Sequence, residues 1–172
     1  MTRRLIVSVV GDASVPEESE AYLAARELGR LLVDAGFRVM TGGLRGVMEA
    51  ASRGAHDSEH YRDGDTIGLL PQSDPGDANL WVDIVIPTGM GHARNSLVAS
   101  GDALVAVGGG AGTLSEIAFA WMFKRPVIAL DAPGCSRELG GMALDHRRRP
   151  EDRVLVAASP ADAIAILKAT LA

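Results

Sequence analysis

Cysteine is nearly absent. Cys135 stands alone in 172 residues, which excludes an internal disulfide framework and a cysteine metal cluster. Lysine is almost as scarce: Lys124 and Lys168 are the only two, and neither falls in a glycine turn. A pyridoxal-phosphate enzyme, which needs a Schiff-base lysine, is therefore disfavoured, and no G-x-x-x-x-G-K-[ST] phosphate loop exists. Aromatic residues make up 4%, so the core has to be built from Val, Leu, Ile and Ala. Positive charge is in deficit, with a formal net charge of -5, whereas a nucleic-acid protein normally shows a basic face. No apolar run approaches the roughly 18–20 residues that cross a bilayer. Met1-Thr2-Arg3-Arg4 leads into a strand-like run without a signal-peptide cleavage pattern. The expectation is a cytoplasmic protein with neither a membrane nor a nucleic acid as partner.

What is present is glycine, 20 of 172 residues, about 12% against a usual ~7%. Together with 47% hydrophobic and 23% charged residues, the length fits one globular domain over residues 1–172. Short β-branched runs alternate with helical patterns. Strands are expected at 5–10, 37–41, 66–70, 82–86, 103–107, 126–130 and 154–156, several of them apolar throughout, as strands buried on both faces are. A first helix should open at Ser14, with Pro16 in its first turn and Glu17 completing a capping box; Leu23, Leu28, Leu31 and Leu32 mark its apolar side and Gly36 its end. Further helices are expected after Gly46, at 92–100, at 113–124 and after Ser159-Pro160. Residues 72–79 read as a surface loop. Residues 131–152 read as an irregular segment, with a lid over a pocket as one role. Such alternation means an α/β fold: a single Rossmann-like domain whose mainly parallel sheet of about seven strands carries helices on both faces. Ligands of such folds sit at the carboxyl ends of the strands.

Three glycine turns follow predicted strands: Gly11-Asp12, Gly42-Gly43-Leu44-Arg45-Gly46, and Gly108-Gly109-Gly110-Ala111-Gly112-Thr113. Any one of them can be merely a tight turn. Three on one sheet edge point to an anion site, because glycine lets the backbone approach a ligand and the following helix offers unpaired N–H groups and a positive dipole end. The G-x-G-x-x-G dinucleotide spacing is missing, which disfavours an NAD dehydrogenase.

The run from Gly108 to Glu116 resembles the P-G-G-x-G-T-x-x-E motif of the LONELY GUY family, long labelled lysine decarboxylases. The turn from Gly42 to Met48 is similar to that family's G-G-x-x-G-x-M. Thr88-Gly89-Met90-Gly91-His92-Ala93-Arg94-Asn95 is closer to the sub-branch that includes the molybdenum-cofactor carrier proteins, where T-G-x-G-x-A-R-N recurs. The resemblance spans residues 5–130. It implies a homodimer or larger homo-oligomer, and one of two functions. Hydrolase members cleave the N-glycosidic bond of nucleoside 5′-monophosphates to free base and ribose 5-phosphate; carrier members bind a phosphorylated pterin. Two departures separate this chain from the hydrolases: Gly108 replaces their motif proline, and Arg94-Asn95 replaces their Arg-Lys pair. The resemblance thus favours a small phosphorylated or polyanionic ligand, molybdopterin in the carrier case, bound by Gly11, Gly42, Gly43, Gly46, Thr88, Gly89, Arg94, Asn95, Gly109, Gly110, Gly112, Thr113 and Glu116. In a hydrolase, Glu116 and Arg94 would be the catalytic pair.

Other readings compete residue by residue. Thr113-x-x-Glu116 is itself a capping box, and Arg94 can be one half of a surface salt bridge rather than a phosphate clamp. Asn95 can cap a turn, and Thr113 can cap and bind phosphate at once. His56-Asp57-Ser58-Glu59-His60 matches the H-x-x-E-H zinc pattern, but a glycine precedes it and a polar end follows, so no metal is expected. Arg147-Arg148-Arg149 reads as a solvated loop or a shield for a polyanion. Trp121 and Met122 continue the helical spacing of Leu114, Ile117 and Ala118 and read as core or subunit interface.

Overall fold

Val7, Val9 and Val10, and every residue from Ala103 to Val107, are buried, which identifies two strands covered on both faces. They are β1 (Ile6–Gly11) and β5 (Ala103–Val107), paired in parallel at the centre of the sheet. The computed structural model describes residues 3–149 and 151–171. Met1 and Thr2 of the amino-terminal tetrapeptide, Pro150 after the arginine run, and Ala172 lie outside the described residues. On one side of the centre lie β2 (Arg38–Thr41), β3 (Thr66–Leu70) and β4 (Ile84–Pro87); on the other lie β6 (Val127–Leu130) and β7 (Leu155–Ala157). The order is β4-β3-β2-β1-β5-β6-β7 and every pairing is parallel. This is the Rossmann-like α/β architecture. Two apolar clusters flank the sheet, one under the first, second and last helices, the other around Leu104, Ile117 and Trp121. Each fully buried valine or leucine contributes about 1.5–3 kcal/mol.

The first helix, α1 (Glu20–Asp34), starts later than the Ser14 signal implies. Ser19 is its N-cap, and its hydroxyl accepts the Tyr22 N–H. Residues before it are committed to turns: the Asp12 carboxylate accepts the Ser14 N–H, and the Pro16 carbonyl accepts from Ser19. The buried side of α1 runs through Tyr22, Ala25, Leu28 and Leu32, so Leu23, expected on the apolar side, is exposed instead. The second helix is α2 (Val47–His56), N-capped by Gly46. The expected helix at 92–100 is broken into a 3-10 turn, Gly91–Arg94, and the single turn α3 (Asn95–Val98). α4 (Ala111–Met122) follows β5, α5 (Cys135–Leu139) follows β6, and α6 (Pro160–Thr170) closes the chain with Ser159 as its cap. The segment 131–152 is therefore not wholly irregular, because α5 lies within it.

Candidate functional site

Strand order reverses between β1 and β5: the chain travels outward through β2, β3 and β4, then returns to the other side of β1. The crevice at the carboxyl ends of those two strands is where ligands bind in open α/β sheets. A cavity of about 330 Å³ lies there, at the small end of the ~300–1,000 Å³ range for ligand pockets. β1 contributes Gly11, with Asp12 and Ala13 beyond it. The β2–α2 turn and first turn of α2 contribute Leu44 and Met48. The segment after β4 brings His92, Arg94 and Asn95, and the start of α4 brings Gly110, Gly112, Thr113 and Glu116.

Arg94 and Glu116 form the floor. Their side chains are each only 8% exposed, and Nη1 of Arg94 donates to Oε1 of Glu116 at 2.9 Å. This buried ion pair overturns both local readings: the arginine is not half of a surface bridge, and Glu116 is not closing a capping box with Thr113. α4 begins at Ala111 with Gly110 as its N-cap and no side-chain cap. Burial pushes the Glu116 carboxyl up to about 7, against the opposing pull of Arg94. Burial likewise lowers the Arg94 guanidinium from its ordinary value, though a guanidinium stays charged. Its Nε is buried without a partner. Gly42 makes room for it, since a Cβ there would fall 2.5 Å from Arg94 Nη2.

Asn95 ties this floor to α4. Its Nδ2 donates to the Ser115 hydroxyl at 2.8 Å and reaches the Gly112 carbonyl at 3.5 Å. Thr113 is buried within the first turn of α4, next to Gly109. The opening N–H groups of α4 are the orphans every helix start leaves, and the dipole there favours an anion. No side chain caps them, and the space beside Gly110 and Gly112 is open to at least 4 Å from an ideal Cβ.

The turn before α4 is held from below by the segment after β6. The Gly108 N–H donates to the Ser136 hydroxyl at 2.8 Å, and that hydroxyl is shared between the Leu130 and Ala132 carbonyls. In return, the Ser136 N–H donates to the Gly108 carbonyl, and the Cys135 N–H to that of Gly109. Residues 132–136 thus buttress the glycine turn rather than cover the cleft as a lid. Gly108 itself has φ 62°, a left-handed angle that proline, fixed near -65°, cannot take.

Of the residues singled out in the sequence, Gly11, Arg94, Asn95, Gly110, Gly112, Thr113 and Glu116 meet around one cavity. Gly42, Gly43, Gly46, Thr88, Gly89 and Gly109 shape its surroundings instead. The Gly43 carbonyl holds Asn79, the Thr88 hydroxyl donates to the Leu70 carbonyl, and the Gly89 N–H donates to that of Gln72. The lining residues Asp12, Ala13, Leu44, Met48 and His92 were not in the expected binding set. Yet Asp12 and Leu44 lie inside glycine turns, Met48 ends the G-G-x-x-G-x-M turn and His92 falls within the Thr88 to Asn95 run; only Ala13 has no signal beyond following a turn. The two imidazoles of H-x-x-E-H serve different neighbours, His56 stacking on Tyr61 and His60 facing Asp34. Trp121 is core, whereas Met122 is exposed. The arginine run lines a separate groove at the far end of α4.

The SLOG cluster4 family profile matches residues 4–164. An uncharacterized protein of Archaeoglobus fulgidus is 40% identical over 128 residues, covering 74% of this chain and 80% of its own. The molybdenum cofactor binding protein from the phototrophic bacterium Rippkaea orientalis superposes with a TM-score of 0.82 at 35% identity, covering 100% of both chains. The molybdenum cofactor carrier protein from Chlamydomonas reinhardtii does so with 0.81 at 35% identity, covering 98% of this chain and 99% of its own.

Proposed function

The chain belongs to the SLOG cluster4 family, and on that footing we propose that it binds a phosphorylated, pterin-type ligand, the molybdenum cofactor, as a carrier or binding protein. The observation that carries this reading is the meeting of a buried arginine with the uncapped start of α4 in one cavity at the switch point of the sheet. A terminal phosphate would sit on the N–H groups at Gly110, Ala111 and Gly112 beside Thr113, where a helix start receives anions. Arg94 would supply the positive charge, with its unpartnered Nε as a donor left over. The remaining ligand body would lie over Leu44 and Met48. Molybdenum in such a ligand is cargo, and the chain's own residues hold and shield it.

A second reading has an observation of its own. A carboxyl held near 7 inside a cavity is poised to move a proton at neutral pH, as a nucleoside 5′-monophosphate phosphoribohydrolase would need. There, water would add to ribose C1′, the C–N bond would break and the base would leave protonated. Two features favour the carrier. Asn95, where hydrolases place a lysine, carries no charge and is bonded to α4. Gly108 adopts an angle closed to the hydrolases' proline. We also propose a homodimer or larger homo-oligomer through the surface of α4 and its C-cap, where Leu114, Met122 and Phe123 are exposed.

The experiment is incubation with purine nucleoside monophosphates and assay for free base, beside a Glu116→Gln control, with thermal shifts measured for molybdopterin-type ligands. A carrier gives no base and a large shift. Robust base release that vanishes in the control makes the protein a phosphoribohydrolase.

A further inference from the structure

The chain is acidic as a whole, yet four cations line one groove at the carboxyl end of α4. The groove holds about 420 Å³ and is walled by Lys124, Arg147, Arg148, Arg149 and Asp152. These side chains sum to a formal +3 in a molecule of net charge -5. Among the described residues, Lys124, Arg147 and Arg149 have no salt-bridge partner. The nearby Asp145 carboxylate accepts instead from the Trp121 indole N–H and the Arg147 backbone N–H.

Two features show that the cluster is built rather than scattered. Arg148 is fixed in place: its guanidinium stacks over Trp121 at 4.4 Å, pairs with Asp152 at 3.2 Å, and reaches the Arg125 carbonyl at 3.5 Å. Lys124 sits at φ 59°, the one non-glycine residue with positive φ among the described residues. It occupies the position after the α4 C-cap where helices ordinarily place glycine, and a side chain held there is strained. One of only two lysines in the chain takes that strained place and lines the groove.

We propose that this groove is a second anion-binding site, separate from the cleft over β1 and β5, and that it takes small ligands bearing two linked phosphate groups. The two sites lie at opposite ends of α4, about 18 Å apart at 1.5 Å per residue. Several spread cations match a divided negative charge better than a single tetrahedral anion. The face of Trp121 that Arg148 covers is unavailable to stack a base, so the recognition element is the diphosphate rather than a nucleobase. A structural alternative is that these cations only complement the negative end of the α4 dipole.

The test is a ¹⁵N–¹H titration of the indole N–H of Trp121, beneath Arg148, with Trp81 as the internal control. Inorganic diphosphate should shift the Trp121 signal saturably, and added salt should weaken the effect. ADP, tried in parallel, distinguishes a free diphosphate from a diphosphate ester; saturable shifts by either one support the site. Lys124→Gly should raise Tm by releasing the strained angle, yet weaken diphosphate binding roughly tenfold, the low end for a hydrogen bond to a charged group. Arg149→Ala should weaken it as well with Tm unchanged. The proposal is overturned if neither diphosphate nor ADP shifts Trp121 at millimolar concentration. It is overturned equally if orthophosphate binds as tightly as diphosphate, if only a polyglutamate peptide binds, or if Lys124→Gly lowers Tm and leaves binding intact, as the dipole alternative requires.

Discussion

Glu116 carries the sharpest pH signature in the molecule. Its folded-state pKa of about 7 lies above the ordinary 4.5, so its proton is held more tightly in the folded chain than in the unfolded one. The contribution to stability is complete below about 4.5 and is lost as pH rises through about 7. At about 1.4 kcal/mol per unit, the loss is on the order of 3 kcal/mol. Glu116→Gln should remove that slope. Denaturant midpoints from pH 4.5 to 8 will check it, and parallel profiles for the two proteins would contradict it. Arg94 and Glu116 were both legible in the sequence as site residues, but their direct ion pair was not. Glu116 stands 22 residues away, and local spacing offered Thr113 as a nearer and simpler companion.

Among the elements, the strands were the most legible, because a strand buried on both faces reads as an unbroken apolar run, as Ala103–Val107 does. Helix starts were less so. Ser14 and Ser19 are both good caps, and only the turn closed by Asp12 and Pro16 decides between them. The buttress after β6 was not legible at all: nothing local in Cys135-Ser136 says that it fastens a glycine turn 28 residues earlier. Ser136→Ala should therefore leave the Gly108 N–H without its acceptor. A buried group stripped of its partner costs about 1–3 kcal/mol, readable in the denaturation midpoint. Ligand affinity should fall with it as the turn loosens. An alanine variant with unchanged stability and affinity would show that the turn holds its shape without the clamp.

At the scale of the whole molecule, the seven-stranded parallel sheet sets two arrangements at once. It brings the start of α4 to the switch point, and it leaves part of the α4 surface uncovered, with Leu114 44% and Met122 57% exposed. The cover we propose for that surface is a second copy of the chain. Sedimentation at micromolar concentration should give a dimer or larger species, and Met122→Asp should shift it to monomer, with a Tm that no longer rises with protein concentration. A wild-type monomer would contradict this.

The central claim is that Arg94 and the α4 start hold a phosphorylated pterin. Calorimetric titration of the molybdenum cofactor into wild type and into Arg94→Ala tests it most directly. The wild type should bind saturably at one site per chain. Losing a charged hydrogen bond worth about 1.5–3 kcal/mol should weaken the variant by roughly 10- to 150-fold. Absence of binding to the wild type, or equal affinity in the two proteins, would contradict the claim.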